Sequence, residues 1–270
     1  MTLIRRQLLL GPVALAVAGA AARAQVPVTA SEAAKSLAPT GVLRVAINHG
    51  NAVLAQRNAK GELTGVSVFL ARALAQRLKL PIELIPFGGA GEVFEEMDKG
   101  RLDLAFLAIE PERAVKIDFS PPYVLLEGTY LVRTGAPFRK AADLDQPGVR
   151  IVVSRGAAYD LFLTRALKRA ELRRAPAGTS AIDMFLSEGL EAVAGVRQAL
   201  VESAQTHPGL RVLDDRFTGI RQAMGTPKGR PAAAAYVGTF IEEMKASGEV
   251  RKALDATGQA NAVVAPPGNK

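Results

Sequence analysis

Apolar positions along this chain follow two rhythms, short dense runs and longer stretches spaced three and four residues apart. The run 104–109 is flanked by Asp103 and Glu110, the stretches 43–47 and 82–85 are broken only by Arg44 and Glu83, and all three are too brief for helices. They predict buried strands, the last of them over 104–108. Between them Ala71, Leu74, Ala75 and Leu78 recur at helical spacing, predicting a helix over 68–78 capped by Ser67, and a second helix is expected over 92–99. Asn48-His49-Gly50-Asn51 and Asn58-Ala59-Lys60-Gly61 read as polar turns. After residues 130–133 the pattern restarts. Leu144 falls in a helical turn, strands are expected at 150–153, 172–175 and 191–194, and helices at 159–169, 180–187 and 196–205. Short strands at 210–213 and 221–224 precede helices at 230–246 and 249–256. Alternating β and α elements predict parallel sheets with helices on their faces.

Residues 101–132 concentrate the chemistry. The apolar run stops at Glu110-Pro111, and Pro111 suits the first position of a helical turn, where a missing N–H costs nothing. This places Arg113 beyond the carboxyl end of a strand, the edge at which open α/β sheets bind ligands. A guanidinium there offers a five-donor fork for a carboxylate or phosphate. The alternative is a surface arginine paired with Glu112 or Asp118.

Asp103-Leu104, then Pro111-Glu112-Arg113-Ala114, then Asp118-Phe119-Ser120-Pro121-Pro122-Tyr123 together resemble the bacterial family 3 extracellular solute-binding proteins. Leu43-Arg44-Val45, Lys60-Gly61-Glu62-Leu63, Gly65-Val66, Arg155-Gly156-Ala157 and Met244-Lys245-Ala246-Ser247-Gly248 continue the resemblance in the same order, over about residues 42–258. The resemblance implies a two-lobed α/β fold of the type II periplasmic-binding class, each lobe a mainly parallel sheet flanked by helices, with two hinge crossings near Leu131 and Gly225. The lobes would be 41–131 plus 225–262 and 132–224, with a tail at 263–270. Its implied function is reversible capture of a small carboxylate-containing solute and presentation to an inner-membrane permease of an ABC-type uptake system, by a monomer that needs no cofactor.

Carried over residue by residue, the resemblance implies that Arg113 clamps a ligand carboxylate. Several positions depart from the pattern. Ala108 and Ile109 stand where a Gly-x-Thr/Ser group is usual, and Gly156-Ala157-Ala158 replaces Gly-Thr-Thr. Val196 occupies the place of the acid that meets an ammonium, and Asn51 stands near the usual aromatic platform. Glu110 is the residue available to replace the missing counter-charge, and Asn48 joins Asn51 as a polar cleft candidate. Small carboxylates with an apolar body are therefore expected to bind better than basic amino acids. Periplasmic cyclohexadienyl dehydratases resemble the same fold, which keeps an enzymatic alternative open. His49 has the chemistry of a general acid or base, and equally that of a turn residue. A sensor receptor would use the same cleft.

Composition narrows the setting. Arg5 and Arg6 precede an apolar stretch over 8–22, and Ala22-Arg23-Ala24 fits a cleavage site, so residues 1–24 read as an export signal with some twin-arginine character. Residues 25–40 read as a loose leader. The signal carries three arginines and no acid, so its loss lowers the formal net charge from +8 to +5. Dispersed basic residues leave no nucleic-acid footprint. Zero cysteine excludes disulfides and thiolate chemistry, and His49 and His207 lie far apart without metal-ligand spacing.

Overall fold

The computed structural model describes residues 28–176 and 180–268. In chain order the first part comprises α1 (Ala30–Leu37), β1 (Leu43–Asn48), β2 (Gln56–Arg57), β3 (Leu63–Thr64), α2 (Val66–Leu78), β4 (Ile82–Phe87), α3 (Ala90–Asp98), β5 (Leu104–Ala108), α4 (Pro111–Ala114) and β6 (Ile117–Phe119). A long strand, β7 (Val124–Arg133), leads through a 3-10 turn at Ala141–Leu144 to β8 (Arg150–Ser154), α5 (Ala158–Ala166), β9 (Glu171–Ala175), α6 (Ala181–Ser187), β10 (Ala192–Val196), α7 (Arg197–Thr206) and β11 (Leu210–Val212). A second long strand, β12 (Thr218–Pro227), returns to α8 (Pro231–Ala246), α9 (Glu249–Asp255) and β13 (Val263–Val264).

The strand order β4-β1-β5-β12-β7-β10-β8-β9 describes two lobes joined at their middle. β4, β1 and β5 are parallel in the first lobe, and β10, β8 and β9 are parallel in the second. β12 and β7 run antiparallel to each other and to the flanking strands β5 and β10. Each changes partner partway along. β7 leaves β12 for β10 at Gly128, and β12 leaves β7 for β5 at Gln222. Leu131 and Gly225, where the crossings are expected, both lie within these strands.

Each lobe has its own apolar interior. The larger core of the first draws on residues from Ala33 to Ala262, including Leu43, Leu70, Leu74, Phe106, Tyr123 and Phe240. The second gathers Tyr130, Ile151, Val153, Leu163 and Ala194 on one face of its sheet and Val152, Phe185, Val193 and Leu200 on the other. A shared device pins the amino ends of the parallel strands. Arg44 at the start of β1 donates through Nε to Asp103 (2.8 Å) and through Nη2 to Asp103 (2.9 Å) and the Gly100 carbonyl (3.2 Å). Arg150 at the start of β8 does the same with Glu191 (2.9 and 2.7 Å) and the Gly189 carbonyl (2.9 Å).

Four expectations need correction. Residues expected to form a loose leader contain α1, closed by a reciprocal Thr29–Glu32 capping box and burying Ala33 and Leu37. Ser67 does not cap α2. The helix starts two residues earlier after Gly65, and the buried Ser67 hydroxyl meets the Tyr123 hydroxyl at 3.2 Å. The short strand expected at 221–224 is the middle of the ten-residue β12. Val263–Val264, expected to belong to a tail, pair with β7 as β13. The expected export signal at 1–24 lies outside the described residues.

Candidate functional site

The site begins where β5 ends. Ile109 leaves the strand with its N–H on the Arg221 carbonyl, Glu110 sits at the N-cap in extended conformation without a side-chain capping bond, and Pro111 opens the one-turn helix α4. That turn points Arg113 back under the strand end, where its side chain is 1% exposed. Its Nη1 donates to the Ala108 carbonyl at 3.0 Å, and its Nη2 crosses to the second lobe and donates to the Gly156 carbonyl at 2.8 Å. Both acceptors are neutral. Among the described residues no carboxylate lies within ion-pair distance of Arg113. Burial lowers its pKa to about 10, with Glu110 and Glu112 opposing from a distance, so it remains a cation at neutral pH.

Between the lobes this guanidinium faces a cavity of about 490 Å³. Asn48, Asn51, Ala108, Arg113, Ala157, Ala158 and Val196 all line it. Asn48 holds its turn by accepting the Gly50 N–H on Oδ1 at 3.0 Å, and the Asn51 carbonyl accepts from Leu54 and Ala55. Gly156 contributes its carbonyl to Arg113 rather than a wall of its own. It adopts φ +69°, and a Cβ on it would stand 2.7 Å from the Gly91 Cα of α3, so glycine is what lets the lobes meet there. The Gly156 N–H is fixed on Asp160 Oδ2 at 2.8 Å, and Asp160 is in turn paired with Arg174 at 2.9 Å.

Glu110 is placed differently from its sequence reading. Its carboxylate turns away from the cavity to Arg165 Nη2 of α5, at 2.7 Å, and the same guanidinium holds Glu112. Arg165 thus ties the second lobe to both acids of the first.

Several wall residues escaped the sequence reading. Gln222 of β12 lies opposite Ala108 of β5 in the sheet register and brings a buried amide to the cavity. Phe106, two residues before Ala108 and so on the same face of β5, supplies an aromatic wall, with Tyr123 packed against it edge-on at 6.0 Å between ring centroids. Ser154, Arg155 and Tyr159 enter from the second lobe, and His49, already singled out in the sequence, lines the wall from the turn after β1. Burial pushes the Tyr159 hydroxyl pKa up.

Solved structures share this architecture. A solute receptor for L-cysteine of Neisseria gonorrhoeae superposes with a TM-score of 0.73 at 24% identity, over 84% of this chain and 93% of that one. The amino acid ABC transporter substrate-binding protein AbpA of Streptococcus pneumoniae, bound to L-arginine, gives 0.72 at 23% identity over 84% and 98%. In sequence, the L-cystine-binding protein TcyJ of Escherichia coli is 26% identical over 195 residues, 71% of this chain and 73% of that protein. A cyclohexadienyl dehydratase of Pseudomonas aeruginosa is 30% identical over 138 residues, about half of each chain. The family model matches residues 43–257, from the start of β1 to just beyond α9, and the chain belongs to the bacterial extracellular solute-binding proteins, family 3.

Proposed function

We propose that this protein captures a small carboxylate-bearing solute between its lobes and hands it to an inner-membrane permease of an ABC-type system. The supporting observation is Arg113, a buried cation whose two hydrogen bonds go to neutral carbonyls and which borders the cavity between the lobes. A buried charge without a counter-ion is unfavourable by several kcal/mol, and an incoming carboxylate relieves that cost while filling the remaining fork positions. The cavity size suits a small organic molecule. Residues 1–24 act in this reading as a cleaved export signal, and the protein works as a monomer in the periplasm, without nucleic acid.

Binding by closure requires no reaction. His49 on the wall, together with the dehydratase relative, supports a second reading as an enzyme, but among the described residues that reading lacks a carboxylate on the wall to orient the imidazole. Titration calorimetry separates these readings. Carboxylates should bind, their neutral amides should not, and Arg113→Ala should remove the difference. Amide binding that ignores Arg113→Ala would refute the clamp, and recovery of a chemically altered ligand would replace capture by catalysis.

A further inference from the structure

The charge distribution around the cavity restricts what accompanies the carboxylate. Among the described residues no aspartate or glutamate lines the wall, whereas Arg113, Arg155 and His49 do. Acids on the neighbouring elements are engaged, apart from Asp183, which is exposed to solvent on α6 beside Ile182. Glu110 is held by Arg165, Asp160 by Arg174 and the Gly156 N–H, and Glu127 by Arg197 and Arg216. Glu92 accepts the Gly88 N–H at 3.1 Å. Residues 177–179, which precede the lining residue Ser180, are Ala-Gly-Thr and bring no acid in sequence.

We infer that the cleft selects carboxylates without an amino group, an inference that rests on the carboxylate reading above and deepens it. An ammonium brought into this space would lose its hydration, find no anion to replace it, and stand in the field of a buried arginine. A hydrocarbon body meets the opposite reception. Phe106, Ala157, Ala158, Ile182, Val196 and Ile220 form a surface on which methylene and methyl groups gain contact. The neutral amide of Gln222 remains for a hydroxyl or carbonyl oxygen on the same solute.

Val196 marks the place where the opposite preference can be installed. It is buried, lines the cavity at the end of β10, and serves as the N-cap of α7 without a side-chain capping bond. Aspartate is a favoured N-cap residue, so Val196→Asp puts a carboxylate on the wall at a position where the backbone accommodates it.

The test uses three matched pairs on the full chain: 4-methylpentanoate with leucine, 3-phenylpropanoate with phenylalanine, and pentanedioate with glutamate. Thermal shifts at about 10 mM ligand screen the pairs, because a ligand that binds only the folded state raises the melting temperature, and calorimetry then ranks the hits. The expected result is that at least one carboxylate binds roughly tenfold or more tightly than its amino partner, and that Val196→Asp reverses the order in that pair. An amino acid that binds more tightly than its partner in the natural protein overturns the inference, as does silence of all three carboxylates. Should Val196→Asp fail to fold, the comparison within the natural protein still decides. Arg113→Ala separates the two levels. Tight amino-acid binding lost in that variant sinks only the selectivity, whereas carboxylate binding indifferent to it sinks the clamp as well.

Discussion

Strand β5 has a buried charge near each end, and the two are treated in opposite ways. Asp103, just before the strand, is fully buried and receives Arg44 at 2.8 and 2.9 Å and Arg230 at 2.8 Å. Arg113, beyond the other end, is equally buried and receives no carboxylate among the described residues. Complete pairing makes the amino end a staple. Incomplete pairing leaves the carboxyl end poised for a ligand, on the edge where α/β sheets place their sites. The second lobe repeats half of this contrast, with Arg150 and Glu191 locking the amino end of β8 while Ala157 and the uncapped start of α5 face the cavity at the other.

The contrast breaks most visibly at Asp103. Asp103→Ala leaves Arg44 and Arg230 facing each other without their shared anion, and should cost about 3 kcal/mol or more of unfolding free energy in denaturant titrations. The fraction that folds should keep its carboxylate affinity. A loss under about 1 kcal/mol would mean that the cluster is not a staple.

Arg113→Ala should show the reverse profile. Affinity for a carboxylate ligand falls by about 2–5 kcal/mol, roughly thirty-fold to several thousand-fold, while the unliganded protein loses less stability than Asp103→Ala does. Arg113→Lys recovers only part, because an ammonium lacks the planar two-point geometry. Calorimetry and denaturation on the same preparations check both halves.

Arg165 sharpens the comparison from the side, since it occupies the two acids that would otherwise approach Arg113. With its guanidinium partly exposed, Arg165→Ala should weaken ligand binding by about 1 kcal/mol, near fivefold. Small-angle scattering should register a larger radius of gyration without ligand. An unchanged radius would show that closure rests on the Gly91–Gly156 contact and Arg113 instead.

The smallest effect is on acid stability. Burial alone would raise the Asp103 carboxyl, but hydrogen bonds from Arg44 and Arg230 outweigh it and hold its pKa below the ordinary value. Its stabilisation is therefore complete above the ordinary carboxyl range and disappears as pH falls through the lowered folded value. Asp103→Asn should flatten that part of the stability profile. A profile identical to that of the natural protein would assign the acid limb to other carboxylates.

The strands β1, β5, β8 and β10 and the turn at Pro111 were legible because each is written locally, as an apolar run with a breaker at its end. β7 and β12 were not. Glu127-Gly128 and Gly219 with Arg221 interrupt their apolar pattern, since the first part of each strand alternates buried with more exposed positions where it crosses between the lobes. Helix α1 was hidden by its alanine-rich composition, which fits a loose segment as well as a packed one, although Thr29 and Glu32 spelled a capping box. At the site, Arg113 and the apolar Ala157, Ala158 and Val196 were readable by order along the chain. The engagement of Glu110 by Arg165 was not, because its partner lies 55 residues away and only the fold brings it near.

Arg230 has one further consequence, for the order in which the molecule can be assembled. It donates to the Leu37 carbonyl across 193 residues and to Asp103 across 127. Helix α8, which it precedes, packs on α1 near the opposite end of the described chain. The second lobe, by contrast, is drawn from one continuous segment between β7 and β12. Loop closure over such separations is entropically slow, so the second lobe can condense while the first still awaits its last helices. A nascent chain halted before residue 230 would carry a nearly complete second lobe beside a first lobe whose α1, β1 and β5 lack their closing partner.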